Sequence, residues 1–336
     1  MQAKMRYTRG IFLLDIEVEL AWGFMHGRFD KDRMTRASNI VRENLDEILS
    51  LLGKYQIPVT WGVLGHVALD HCECANLPHS EMPRASYHWL KGDWFELDPC
   101  ATLDDEPAFY GKDIVDRVVD FASKSTVTHD IACHSFSHQL FGDPGCSEEV
   151  AEAEIEECIR IMQENYNLRP RVFIFPRDYP GHLEVLERNG FIAFRGRIPY
   201  AINYREVATG IRDTLVRLIS LASYAASFYF RVPPPVVQHF DESGLVNVPG
   251  SMCYNKKSSI PLNLVKTKAL KGIERAVEEN LIFHLYSHLI NFGQAPDTKA
   301  FMRSFEEILA LADLFRSKNK LEITTMKELV ECGHHD

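Results

Sequence analysis

The stretch His129-Asp130-Ile131-Ala132-Cys133-His134-Ser135-Phe136-Ser137-His138-Gln139 reads as a short apolar strand running into two histidines four residues apart. Where such a strand gives way to a helical turn, positions i and i+4 fall on one face. Both imidazoles then reach one point in front of the strand's C-terminal end. Two neutral imidazoles and one carboxylate form a common catalytic metal site. Pairs at this spacing also arise by chance on exposed helices, so the rest of the chain has to decide.

On either side of this stretch, apolar runs alternate with helical patterns. Gly10 to Leu20, Ile57 to Val63, His129 to Cys133, Arg171 to Phe175, Phe191 to Phe194, Leu245 to Val248, Leu281 to Tyr286 and Leu321 to Thr324 read as strands. Asn39 to Tyr55, Ile114 to Lys124, Glu148 to Asn165 and Leu183 to Asn189 carry apolar residues at helical spacing, the last stopped by Gly190. Such alternation predicts parallel βα units, an α/β fold with enough strands for a closed or nearly closed barrel. Barrels of this kind hold their chemistry at the C-terminal ends of the strands, which is where His134 and His138 stand.

At 336 residues the chain is long for one core, but single-domain α/β barrels reach this length. We read residues 1–336 as one domain with long insertions at about 70–111 and 198–247. The first insertion is rich in Pro, Asp and aromatic residues. The second holds the apolar segment Leu218 to Phe230, broken by Ser220, Ser223 and Ser227 and too short to span a membrane. A buried or partner-facing helix is the reading for it. Long ordered loops in compact domains tend to carry binding surfaces.

Hydrophobic residues at 46% and charged residues at 25% fit a globular protein. The formal net charge of -10 argues against nucleic acid or an anionic membrane surface as the main partner. Met1 to Phe12 runs straight into a strand without a signal-peptide apolar region, so the expectation is a cytoplasmic protein. The eight cysteines lack framework spacing and are expected to be reduced thiols. His71-Cys72-Glu73-Cys74 followed by His79 could form a zinc loop, but Cys-x-Cys is not a common structural zinc spacing. The sequence specifies no oligomeric state.

A metal held by two histidines needs a carboxylate and an open position for water. Strand residues Asp15, Glu17 and Glu19 alternate with Leu14, Ile16, Val18 and Leu20, so the three acids share one face. On a strand that begins Ile11-Phe12-Leu13-Leu14 these like charges repel unless a cation offsets them.

With these residues in view, the chain resembles the polysaccharide deacetylase (NodB-homology) family. Glu17-Val18-Glu19-Leu20-Ala21-Trp22-Gly23 is similar to its first motif, and His134-Ser135-Phe136-Ser137-His138 to its second. Phe175-Pro176-Arg177, Phe194-Arg195-Gly196 and Tyr286-Ser287-His288 followed by Asn291-Phe292-Gly293 are weaker matches in the expected order. The resemblance implies a distorted (β/α) barrel of about seven strands. It further implies a divalent metal, zinc first, with cobalt, nickel or manganese able to serve, and removal of N-acetyl groups from amino sugars.

Carried over, the resemblance makes Glu19, His134 and His138 the ligands, Glu17 the general base and His288 the acid that protonates the leaving amine. Glu17 departs from the family's usual Asp. A second register makes Asp15 the base and Glu17 the ligand, leaving Glu19 outside the set. Arg177 is then a candidate to orient the base, and Trp22 and Trp61 are candidates to stack on a sugar. The implied substrate is an amino sugar, free or linked to a nucleotide or lipid, as in surface-polysaccharide or O-antigen synthesis. The alternatives are a related amidohydrolase (a deformylase or an allantoinase-like enzyme) and a non-catalytic carbohydrate-binding protein on the same fold.

Overall fold

Strand β1 (Gly10–Val18) is buried along its whole length, and each of its faces has its own apolar partner. Ile11 and Leu13 point inward and pack with Ala132, Val172, Ile174, Ala193, Val246 and Ile282 from neighbouring strands. Phe12, Leu14, Ile16 and Val18 point outward into the larger core shared with the helices. A strand buried on both faces is the signature of a parallel sheet covered by helices. The computed structural model describes residues 7–26, 29–72, 74, 77–197, 233, 235–236, 238–240, 244–255 and 260–332.

In chain order the elements are β1, α1 (Lys31–Lys54), β2 (Thr60–Val63), α2 (Lys112–Lys124), β3 (Asp130–Cys133), α3 (Glu148–Tyr166), β4 (Val172–Ile174), α4 (Leu183–Arg188) and β5 (Ala193–Arg195). They are followed by β6 (His239–Phe240), β7 (Val246–Asn247), β8 (Met252–Cys253), α5 (Leu262–Glu279), β9 (Ile282–His288), α6 (Asn291–Gln294), α7 (Thr298–Ser317), β10 (Leu321–Thr324) and α8 (Met326–Glu331). Short 3-10 turns follow β1, β2 and β4. The sheet runs β6-β7-β5-β4-β3-β2-β1-β9-β8, with β10 also on β1. Every strand pair is parallel except β6 with β7.

One edge of β1 is shared. Gly10 to Leu13 pair with Leu321 to Thr324 of β10, and Asp15 to Val18 pair with Thr60 to Val63 of β2. Its other edge pairs Ile11 to Glu17 with Ile282 to His288 of β9. Val236 bridges Ile282, and the next few residues form β6 on β7. That segment ties the two ends of the curled sheet, which makes the distorted (β/α) barrel. Met326 and Leu329 of α8 join the apolar interior at the N-terminal ends of the strands.

Among the described residues the sheet has ten strands where the resemblance implies about seven, and β6 and β8 are two residues each, too short to leave a periodic pattern. Helix α1 begins well before Asn39, because the Asp30 carboxylate accepts from Arg33 N at 3.0 Å and caps it. Among its described residues, insertion 70–111 carries no regular strand beyond the bridge between His71 and Thr102. It contains a disulfide between Cys74 and Cys100, whose Cα atoms lie 5.7 Å apart, so the expectation of reduced thiols fails for this pair. In the second insertion, β6 and β7 belong to the sheet, and segment Leu218 to Phe230 lies outside the described residues. Among the described residues, no helix is long and apolar enough to cross a membrane.

Candidate active site

The inward face of β1 changes character along its length. Ile11 and Leu13 are followed by Asp15 and Glu17, and Glu19 comes just past the strand; all three acids are at most 2% exposed. The apolar residues fill the lower barrel and the acids reach its C-terminal mouth. After β1 the chain turns through Leu20, at φ 46°, into the 3-10 turn Trp22–Phe24. A Cβ on Gly23 would sit 2.1 Å from Glu19 Oε1, so only glycine leaves room for this carboxylate.

His134 and His138 are brought together differently from the expected helical turn. Ser135 and His138 both adopt left-handed backbone, at φ 64° and 66°, in an irregular loop after β3. His138 N donates to Ser135 Oγ at 3.0 Å. Glu154 of α3 accepts from Phe136 N at 3.1 Å, Ser137 N at 2.7 Å and Ser137 Oγ at 2.5 Å. These bonds satisfy a buried loop that has no ladder of its own. The two imidazole rings end 5.1 Å apart.

Glu19 Oε2 lies 2.9 Å from His138 Nε2 and 3.3 Å from His134 Nε2. Glu17 Oε2 is also 3.3 Å from His134 Nε2. His134 Nδ1 donates to the Ile174 carbonyl at 2.7 Å, which fixes the tautomer and leaves the Nε2 lone pair facing the acids. His288 approaches from β9, with Nε2 3.5 Å from Glu19 Oε1 and 3.6 Å from Glu17 Oε2. Its side chain is 25% exposed, to a cavity of about 770 Å³ lined by Glu17, Glu19, His138, Arg177, Arg195 and His288 among others.

Arg195 stands in the sequence only as part of the weak motif Phe194-Arg195-Gly196. Its buried guanidinium reaches three carboxylates: Glu17 Oε1 at 2.6 Å, Asp178 Oδ1 at 2.9 Å and Asp15 Oδ2 at 3.3 Å. It also stacks on the Tyr286 ring at 4.2 Å. A cation at the end of the otherwise apolar strand Ala193–Arg195 was the available signal. The guanidinium that grips Glu17 is therefore Arg195, and Arg177, in left-handed backbone at φ 56°, lines the cavity mouth. Asp15 sits deeper, with Oδ2 2.7 Å from His284 Nε2. Trp22 and Trp61 do not serve as sugar platforms: at 2% and 0% exposure both are core side chains, and Trp22 Nε1 donates to Phe109 O at 3.2 Å.

Burial would raise the carboxyls of Glu17 and Glu19, but neighbouring charges and hydrogen-bond partners overturn it. Arg195, His288 and His134 hold Glu17 below the usual carboxylate range, and His288 and His138 hold Glu19 well below it. Burial would lower His288, yet Glu17 and Glu19 raise it well above an ordinary imidazole. Burial keeps His138 low against the pull of Glu19. The cluster is thus two ionised acids, a protonated His288 on the cavity side, and a neutral His138. A carboxylate oxygen converging with two imidazole Nε2 atoms, one oriented by a backbone carbonyl, is a donor set that fits a divalent metal.

Residues 29–181 match the family model described as polysaccharide deacetylase, a span that includes His134 and His138. A search of curated proteins finds no sequence that matches this chain. Among solved structures, a polysaccharide deacetylase from Mycobacterium smegmatis superposes with a TM-score of 0.60 at 11% identity, over 98% of this chain and 93% of that one. One from Pseudomonas aeruginosa PAO1 gives 0.56 at 12% identity, over 97% and 90%. Puue allantoinase gives 0.56 at 11% identity, over 96% and 89%. At these identities the likeness is one of fold. Residues 29–181 thus resemble a polysaccharide deacetylase domain, and the barrel around them is the fold of those solved structures.

Proposed function

We propose that this protein is a metal-dependent hydrolase that removes the N-acetyl group from an amino sugar, of the kind carried on a nucleotide or lipid during surface-polysaccharide synthesis. One observation carries the reading. A single oxygen of Glu19 meets both histidines of the His134–His138 pair, while Glu17 and His288 flank it on the cavity side. That arrangement supports Glu19, His134 and His138 as the ligands and Glu17 as the base. Asp15, engaged by His284 and Arg195 below the cavity, is left as a buried support.

A divalent ion on Glu19, His134 and His138 would supply Lewis acidity at the amide carbonyl and lower the pKa of a bound water. The chain's own groups do the rest. Glu17, ionised and held by Arg195 at 2.6 Å, accepts the proton of the attacking water as its oxygen bonds to the acetyl carbon. His288, protonated at neutral pH, gives its Nε2 proton to the nitrogen as the C–N bond breaks. Acetate and a free amino sugar leave. Arg177 at the cavity mouth is positioned to bind polar substituents of the sugar or its carrier.

The test is acetate release from nucleotide- and lipid-linked N-acetylated amino sugars, with zinc, cobalt, nickel or manganese supplied in turn. Release that disappears in Glu17→Gln supports the reading. Metal-loaded protein that releases no acetate overturns it in favour of binding without catalysis. Hydrolysis of a formamide or a cyclic ureide instead would move the activity to the amidohydrolase class.

A further inference from the structure

Beneath insertion 70–111 lies a second cluster, which shares no residue with the cavity. His66 comes from the 3-10 turn after β2, and Cys72, His79 and Asp98 come from the insertion. Asp98 Oδ2 is 3.0 Å from His66 Nε2 and 2.7 Å from His79 Nε2. Cys72 Sγ lies 3.5 Å from the same His79 Nε2. All four ligand atoms fall within 4.8 Å of one another.

Pairwise hydrogen bonding accounts poorly for this convergence. A ring nitrogen has one in-plane position, either an N–H or a lone pair. Asp98 Oδ2 can accept from both imidazoles, but His79 Nε2 is faced by both this oxygen and the Cys72 sulfur and can serve only one of them. Four ligand atoms within 4.8 Å of one another are what a tetrahedral ion requires. Zinc bonds of about 2.0–2.3 Å put neighbouring ligand atoms about 3.3–3.7 Å apart, so the observed spacings need shifts below about an ångström.

The surroundings agree. Asp98 Oδ1 accepts from Cys100 N at 3.0 Å and from the Tyr110 hydroxyl at 3.2 Å, which turns Oδ2 alone toward the cluster. His79 Nδ1 stands 3.4 Å from Glu81 Oε1, the outer partner expected of a ligating imidazole. Phe136, Phe95, Tyr110 and Trp22 pack their rings around the two histidines at 4.2 to 5.5 Å. With a metal bound, a thiolate, a carboxylate and two neutral imidazoles would carry two negative charges, which a divalent ion cancels.

We propose that His66, Cys72, His79 and Asp98 form a closed, structural zinc-type site, separate from the candidate catalytic one. Its role is to clamp the insertion onto the loop of His134 and His138. Phe136 of that loop lies against both cluster imidazoles. Gly65 N and His66 N donate to Ser135 O and Phe136 O at 2.9 and 3.0 Å. Trp94 Nε1 of the insertion donates to Ser137 O at 3.0 Å.

The test uses the full chain carrying His138→Ala, so that the cavity site is incomplete, and cobalt(II) as probe. We expect one cobalt per chain after gel filtration, with a near-ultraviolet thiolate-to-cobalt band and the strong visible bands of tetrahedral cobalt. Cys72→Ser on this background should abolish the near-ultraviolet band, and Asp98→Asn should weaken binding at least tenfold. No retained cobalt, or a band that survives Cys72→Ser, overturns the assignment. So does a band lost in Cys74→Ser/Cys100→Ser but kept in Cys72→Ser. Should Cys72→Ser fail to fold, the unaltered cluster still decides: chelator must lower the unfolding midpoint of the His138→Ala chain, and equal midpoints refute the site.

Discussion

Two buried clusters of histidine and carboxylate lie on either side of residues 134–138, and the difference between them is access. Around Glu19, the His288 side chain is 25% exposed and a cavity of about 770 Å³ opens above it. Around Asp98, aromatic rings pack against the two imidazoles, and the side chains of His66, Asp98 and His79 are 0%, 0% and 6% exposed, with Cys72 partly buried. Similar donor atoms therefore serve opposite ends. An open position lets a ligand set bind water and substrate, whereas a filled one can only hold the chain together. The comparison predicts that damage to the first cluster appears in turnover and damage to the second in stability.

His134→Ala should produce the largest effect on the open side. It removes a nitrogen that meets both Glu17 and Glu19. Metal-based charge stabilisation is worth several kcal/mol, so turnover should drop by about a thousandfold or more. The urea midpoint should move far less, because the acids lose a neighbour that also desolvated them. A variant that unfolds but keeps its turnover per folded molecule would erase the contrast.

On the sealed side, Asp98→Ala leaves two buried imidazoles without their shared acceptor. Removing one partner from such a buried network costs about 3–5 kcal/mol. Equilibrium unfolding in urea should show that loss, and a cost below about 1 kcal/mol would mean that Asp98 carries little of the fold.

The two clusters were not equally legible in the sequence. Alternation puts Asp15, Glu17 and Glu19 on one face, and His134 with His138 can be read from spacing, because both patterns are local. The loop that joins the histidines could not be read, since between its left-handed Ser135 and His138 it is held at Phe136 and Ser137 by Glu154 of α3, 17 residues beyond Ser137. Arg195 reaches Asp15 across 180 residues, a pairing that only the curled sheet creates. The Asp98 cluster draws its ligands from residues 66, 72, 79 and 98, a spacing without a framework, and His79 is separated from Asp98 by 19 residues of irregular chain. The barrel itself was readable from the alternation of strands and helices, except for β6 and β8, which are too short to show a period.

Arg195→Lys tests how the open cluster is tuned, with an intermediate effect. Burial pushes Glu17 up and the guanidinium is the main force pulling it down. A lysine cannot span Glu17, Asp15 and Asp178 together, so the carboxyl of Glu17 should rise. The acid limb of the pH profile of kcat/KM should then shift to higher pH, because the base is ionised only above its own pKa. Turnover at the optimum should fall about 10–100-fold, as for other groups that orient a reacting residue. The alkaline limb, set by loss of the raised His288 proton, should stay in place. An unmoved acid limb would detach Arg195 from the base.

The smallest expected effect lies at the rim of the sealed cluster. Tyr110→Phe removes a hydroxyl that donates to Asp98 Oδ1 at 3.2 Å and accepts from Ala101 N at 3.1 Å. As hydrogen bonds alone these are worth about 1–2 kcal/mol together. If a cation sits on Oδ2, the same hydroxyl also orients a ligand, and metal affinity should fall about 10–100-fold. Unfolding with and without chelator separates the two. In a metal-free ion-pair network the cost of Tyr110→Phe is the same in both conditions. In a metal clamp the cost is larger when metal is limiting and shrinks once chelator has removed the ion from both proteins.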